Sequence, residues 1–185
     1  MNIRDIAAQR ILNVDLATGQ VSTEEVSRRD LVRLLGGRGL AAKLLYEKIP
    51  AGMDPLGPEN VLIWSPGTLS GTSAPSSGRT SVTCKGPATG LYLKVSVGGH
   101  LGAELKYAGY NYLVISGRDP HPVYLWVDDD RVEIRQAQQL WGKGTRETDD
   151  LIKAELDDDD IQTGIIGPAG ENKVLFSCIM VSRYN

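Results

Sequence analysis

The chain has too few thiols to hold an iron–sulfur cluster: only Cys84 and Cys178 are present, far apart and with no CxxC. Such clusters need about four thiolates, so this chain cannot ligate one by itself. Both cysteines fall in strand-like apolar surroundings, which reads as buried free thiols in preference to a disulfide. Histidine is almost as scarce. His100 and His121 stand in separate segments and offer no metal pair. No Ser-His-Asp or Cys-His nucleophile arrangement can be defended from spacing. No apolar run approaches the roughly 20 residues of a membrane span, and the opening MNIRDIAAQR lacks the apolar centre of a secretory signal. These absences point to the cytoplasm. A net charge of −3 without a basic stripe gives no reason to expect a nucleic-acid partner.

What is present suits a soluble globular protein. Of 185 residues, 41% are hydrophobic and 23% charged, enough for one domain with a real core, or one built from two similar halves. Ile11, Leu12 and Val14, the turn Ala17-Thr18-Gly19-Gln20, and Val21 to Val26 read as a hairpin. Ser27 with Asp30 reads as a helix N-cap and its acidic third position. Leu31, Leu34 and Leu35 recur at helical spacing, Gly36-Gly37 interrupts, and Leu40 to Leu45 continue a helix to about Lys48. Pro50, Pro55 and Pro58 mark a turn-rich connection before a strand at Val61 to Trp64. Later the order returns: a hairpin around Asp128-Asp129-Asp130, a helix carrying Leu151, Ile152 and Leu156, and a strand from Ile161 to Ile166. The expected fold class is α+β, a mixed or antiparallel sheet domain with duplicated halves at about 9–70 and 120–180 around a central segment 76–116.

That central segment is the most informative part. Thr80, Val82 and Cys84 alternate with Ser81, Thr83 and Lys85 as in a half-buried strand. Leu91, Leu93 and Val95 share one face of the next. Gly98-Gly99 then opens a short helix marked by Leu101, Leu105 and Ala108 and closed by Gly109, before a strand from Tyr112 to Ile115. Exposed N–H groups at a helix start favour anionic oxygens, so the segment reads as a site for an anion-bearing ligand. Arg79 follows the small, flexible run Ser73 to Gly78. Its guanidinium could grip phosphate or a heterocycle in a fork, or satisfy carbonyls at a loop end. Gly98 and Gly99 either admit a ligand close to the backbone or merely turn the chain. A helix start disfavours imidazolium, so His100 reads as a surface or packing side chain, with a neutral imidazole donating to a ligand oxygen as the alternative. Glu104 and Lys106, two apart, do not share a helix face and default to solvent or a subunit contact. Gly36-Gly37-Arg38-Gly39 lacks the Lys-Ser/Thr ending of a nucleotide loop and reads as a close helix–helix approach.

Four segments in order, GGRGLAAKLLYE at 36–47, GTLSGTSAPSSGR at 67–79, GGHLGAELKYAGY at 98–110 and IGPAGEN at 166–172, resemble the N-terminal domain of the aldehyde ferredoxin oxidoreductase family. The resemblance runs from about Ile11 to Met180 and treats residues 1–185 as one pterin-binding domain. It implies that Arg79 contacts a pterin and lies between it and an iron–sulfur cluster, with Gly98 and Gly99 as backbone contacts. Ser96 stands where family members often carry asparagine. A main-chain carbonyl reaching magnesium between pterin phosphates would survive that change, and a side-chain contact would not. The implied cofactor is tungsten, or molybdenum, held by the dithiolene sulfurs of two pterins, beside a [4Fe-4S] cluster ligated outside this chain. The implied activity is oxidation of aldehydes to carboxylic acids with electrons passed to ferredoxin. Cluster cysteines and substrate pocket belong to the family's following part, either a later domain or a separate subunit, so the chain alone should be inactive. Asn185 lies near the place of a pterin-loop arginine. A homodimer is compatible with the family. The competing readings are a reductase subunit acting on an aromatic thioester, and a non-catalytic binding or assembly module.

Overall fold

Apolar alternation in RILNVD forms β1 (Arg10–Asp15), and a turn with Gly19 at φ +71° returns the chain as β2 (Gln20–Glu25), exposed along its whole length. The computed structural model describes residues 9–182. Helix α1 (Arg28–Leu34) starts where Ser27 accepts the Asp30 N–H at 3.1 Å and returns a hydroxyl bond to the Asp30 carboxylate at 2.8 Å. It stops at Leu35, which takes the left-handed conformation, and α2 (Gly37–Lys48) follows. A Cβ at Gly39 would lie 2.7 Å from the Leu34 carbonyl oxygen. The glycine run is therefore the close helix–helix approach expected, and Arg38 is exposed on α2.

Strands β3 (Leu62–Pro66), β4 (Thr80–Lys85), β5 (Tyr92–Val97) and β6 (Tyr112–Ser116) join the first two in a six-stranded sheet of order β2-β1-β6-β3-β4-β5. Only the β1–β6 pair is parallel. One face, with Ile11, Val61, Ile63, Tyr112 and Val114, packs against Leu40, Ala41, Leu44 and Leu45 of α2. The other carries Leu12, Val14 and Leu113 beneath Leu105 of α3 (Leu101–Tyr107). The hairpin β7 (Val123–Asp128) and β8 (Arg131–Gln136) covers the same face through Leu125, Val127, Val132 and Ile134. Burying both sheet faces under helices and a hairpin is what makes the layers stable. The fold is α+β, as expected. At the end of the sheet β5 has only β4 beside it among the described residues, and Tyr92, Leu93 and Val95 are 52%, 37% and 47% exposed.

The second half is less regular than its sequence suggests. Helix α4 (Thr145–Leu156) forms, with Ile152 buried against Ala137 and Leu140. The expected strand at 161–166 shortens to β9 (Gly164–Ile165), paired only with β10 (Met180–Val181). A Cβ at Gly164 would lie 3.3 Å from the Trp64 ring, so the segment crosses that indole closely. Between these strands α5 (Pro168–Glu171) begins at a proline. Hairpin, helix and strand recur in order, but the first set shares one sheet and the second forms two separate ladders among the described residues. The likeness of the halves is one of element order.

Cysteine placement corrects one expectation. Cys84 is half-buried, and burial pushes its thiol pKa up. Cys178 is exposed, because its segment between α5 and β10 has no strand neighbour to cover it. Among the described residues no helix is long and apolar enough to cross a membrane.

Candidate functional site

The β4–β5 ladder decides where the sequence-predicted site residues lie. Ser81 pairs with Ser96 and Thr80 with Val97. The ladder ends there, and the next residues outward on the two chains are Arg79 and Gly98, then Gly78 and Gly99. A Cβ built on Gly78 would lie 3.9 Å from the Gly99 carbonyl oxygen. The arginine and the double glycine therefore meet at one open end of the sheet.

The loop that brings Arg79 there is tied back to its own start. The Gly67 N–H donates to the Arg79 carbonyl at 3.1 Å. The Ser70 hydroxyl donates to the Ser77 carbonyl at 2.6 Å and leans on that of Arg79 at 3.4 Å. Main-chain bonds thus fix the residue while leaving its side chain exposed, and the guanidinium has no ion pair or hydrogen bond among the described residues.

Lys106 departs from its expected solvent role. From the last turn of α3 its Nζ donates to the Thr68 carbonyl at 2.7 Å and reaches that of Gly67 at 3.5 Å. It is half-buried, and desolvation pulls its pKa down. Next to it the Tyr107 hydroxyl donates to the Gly71 carbonyl at 3.1 Å. Glu104 is exposed, as expected.

Beside this junction is a hollow of about 500 Å3 lined by Val97, Gly98, Gly99 and the segment 179–182 around β10. Gly99 has φ +89°, and a Cβ there would lie 3.7 Å from Val181 and 3.9 Å from the Ser182 carbonyl oxygen. Ser182 is pinned in turn. Its hydroxyl accepts the Thr163 N–H at 2.8 Å and donates to Asp149 at 3.1 Å, while Asp149 pairs with Lys153 at 3.5 Å. Arg79 adjoins the hollow without lining it. Ser96 is exposed one residue before the lining begins, and its hydroxyl is engaged by Lys94. His100 is the N-cap of α3, with its main-chain carbonyl accepting the N–H groups of Ala103 and Glu104. The two glycines accordingly precede this seven-residue helix and are not its first turn.

Four residues escaped the sequence reading. Lys106 gave no signal, since a lysine ending a helix ordinarily faces water. Ser182 and its Asp149 anchor come from distant segments that only the tertiary fold joins. Gly102 did carry a signal, a glycine inside a helix: a Cβ there would overlap Thr80 Oγ1 and lie 3.3 Å from Pro66.

The donor set limits what the site can hold. Among the described residues no group of three or more His, Cys, Asp or Glu could hold a metal ion. A metal here must bring its own ligands, and the chain can supply backbone, space and one unpaired guanidinium. A side chain at Gly98 would meet nothing within 4 Å, so the surface is open where a flat ligand would rest. The volume lies within the roughly 300–1,000 Å3 of cofactor pockets. The exposed guanidinium suits an anionic group, while the hollow beside it is lined mainly by apolar side chains and the glycine backbone.

Residues 11–185 match the family model described as "Aldehyde ferredoxin oxidoreductase, N-terminal domain". A tungsten-containing aldehyde ferredoxin oxidoreductase of Thermococcus kodakarensis is 48% identical over 171 residues, covering 92% of the chain and 28% of the relative. An aliphatic sulfonate oxidoreductase, WOR-like subunit, of Pyrococcus furiosus is 34% identical over 92% of the chain and 30% of its own length. Among solved structures, the active-site complex BamBC of benzoyl coenzyme A reductase, with 1,5-dienoyl-CoA, superposes with a TM-score of 0.92 at 40% identity. It covers 96% of this chain and 27% of its own. The chain thus spans between a quarter and a third of the relatives it matches.

Proposed function

The chain belongs to the aldehyde ferredoxin oxidoreductase family, of which it forms the N-terminal domain, and from that premise we propose that it cradles the pterin of a tungsten cofactor in an enzyme oxidising aldehydes to carboxylic acids. One observation carries the reading: the β4–β5 ladder ends at Thr80 and Val97, so Arg79 and Gly98 leave the sheet at the same end, beside a hollow that Gly98 and Gly99 help line. When bound, the tungsten–pterin group supplies the redox chemistry. The chain's part is to bind and orient. Arg79 offers a planar fork of donors to phosphate or to the pterin's polar edge. Gly98 and Gly99 let the ligand reach the main chain, where any Cβ would hold it off. Ser96 would offer its main-chain carbonyl to a magnesium ion bound with the cofactor's phosphates, its hydroxyl being engaged by Lys94.

In this reading molybdenum could replace tungsten, because the dithiolene sulfurs, not the protein, ligate the metal. The remainder of the enzyme, as further domains or another subunit, holds the [4Fe-4S] cluster and the substrate pocket, and ferredoxin accepts the electrons. The chain by itself is inactive, and the whole enzyme is cytoplasmic. Reduction of an aromatic thioester is the second reading, favoured by the 0.92 superposition on the BamBC complex. Expression of the complete polypeptide with tungstate or molybdate, followed by metal and pterin analysis, tests the cofactor assignment. Aldehyde-dependent ferredoxin reduction then separates the two activities. A folded protein free of both metal and pterin would overturn the assignment.

A further inference from the structure

We propose that Lys106 is a positioning residue for the Arg79 site, an inference that rests on the pterin-cradling reading above. Helix α3 begins directly after the double glycine and ends at Lys106 and Tyr107. Those last two residues hold the loop that delivers Arg79: Lys106 through the Thr68 and Gly67 carbonyls, Tyr107 through that of Gly71. Gly67 passes the restraint on, since its N–H bonds the Arg79 carbonyl at 3.1 Å. One rigid helix therefore spaces both halves of the site, the glycine backbone at its start and the arginine loop at its end.

The environment of Lys106 supports this over a casual surface contact. A half-buried ammonium is costly unless paired, yet Lys106 has no carboxylate partner among the described residues. Two main-chain carbonyls are its partners, and they belong to the loop carrying the unpaired guanidinium. Gly71 at φ +74° lets that loop press on the Tyr107 ring, since a Cβ there would lie 3.1 Å from it. From the α3 side the loop is clamped at Thr68, Gly67 and Gly71, while on the α1 side the Thr68 hydroxyl donates to the Leu35 carbonyl at 2.6 Å. Lys106 therefore holds Arg79 in place through Gly67 and Thr68, without touching the ligand itself.

The test uses the complete polypeptide expressed with tungstate, reading pterin retained after dialysis and the melting temperature of pterin-free protein. Lys106→Met keeps the aliphatic stem and removes the donors. It should speed pterin loss about tenfold, the lower end for removing a supporting contact at a metal site, with the melting temperature unchanged. Arg79→Lys keeps the charge without the fork and weakens retention partially. If Lys106 acts through Arg79, adding Lys106→Met to Arg79→Lys should cost much less than it does alone. Two losses that simply add would overturn the proposal, as would full pterin retention in Lys106→Met. A fall in melting temperature that accompanies the pterin loss would assign Lys106 a purely structural role and overturn it too. Wild-type protein without pterin would instead sink the cradle reading on which the inference rests.

Discussion

At Gly98 a side chain would meet open space, whereas at Gly102 it would run into Thr80 and Pro66. These two glycines, four residues apart in one motif, therefore answer different questions. Gly98→Val should leave the melting temperature unchanged and strip most of the pterin, because the branched side chain intrudes only on the ligand's ground. Full pterin occupancy in that variant would reduce the double glycine to a turn. Gly102→Ala should lower stability by about 3 kcal/mol, the upper range for forcing volume into a packed contact, as read from the denaturation midpoint. Arg79→Ala removes a side chain with no partner among the described residues. It should cost pterin and electron transfer but no stability, and unchanged metal content together with unchanged aldehyde turnover would remove it from the site.

Helix α1 has the clearest local logic of any element. Ser27 and Asp30 bond reciprocally, and losing such a cap destabilises by about 1 kcal/mol, the expected effect of Ser27→Ala in a denaturant titration. The Ser27 hydroxyl, with help from Lys43, also holds the Asp30 carboxyl below its ordinary pKa. A lowered folded-state pKa means that this stabilisation is complete above the usual carboxylate range and is lost as pH falls through the folded value. The acid limb of a stability–pH curve should flatten in Ser27→Ala, and an identical limb in the variant would count against the link. Both ends of α1 and the strands from β3 to β6 were legible because caps, glycines and two-residue alternation are local signals. The strand expected over Ile161 to Ile166 was legible only in part, because Ile161 packs on the Ala137–Leu140–Ile152 cluster, Gly164 lies against Trp64 and Leu101, and only Gly164–Ile165 pair, with the distant Met180–Val181. Cys178 misled in the same way, since apolar neighbours in sequence did not become neighbours in space.

Seen whole, the molecule collects its candidate site from segments that no spacing rule connects: the loop 67–79, the end of β5, and the segment 179–182. Arg79 and Gly98 were found separately in the sequence, and only antiparallel pairing brought them to the same end of the sheet. Lys106 and the Asp149–Ser182 anchor were invisible beforehand because each acts on a partner far along the chain. The exposed outer edge of β5 has a further consequence for the chain handled by itself. Among the described residues no strand pairs with the outer side of β5, so its main-chain donors and acceptors beside the exposed Tyr92, Leu93 and Val95 are a template for adding strands from other molecules. Concentrated solutions of the isolated chain should therefore form growing particles in light scattering, and a charged gatekeeper, Val95→Lys, should keep them clear.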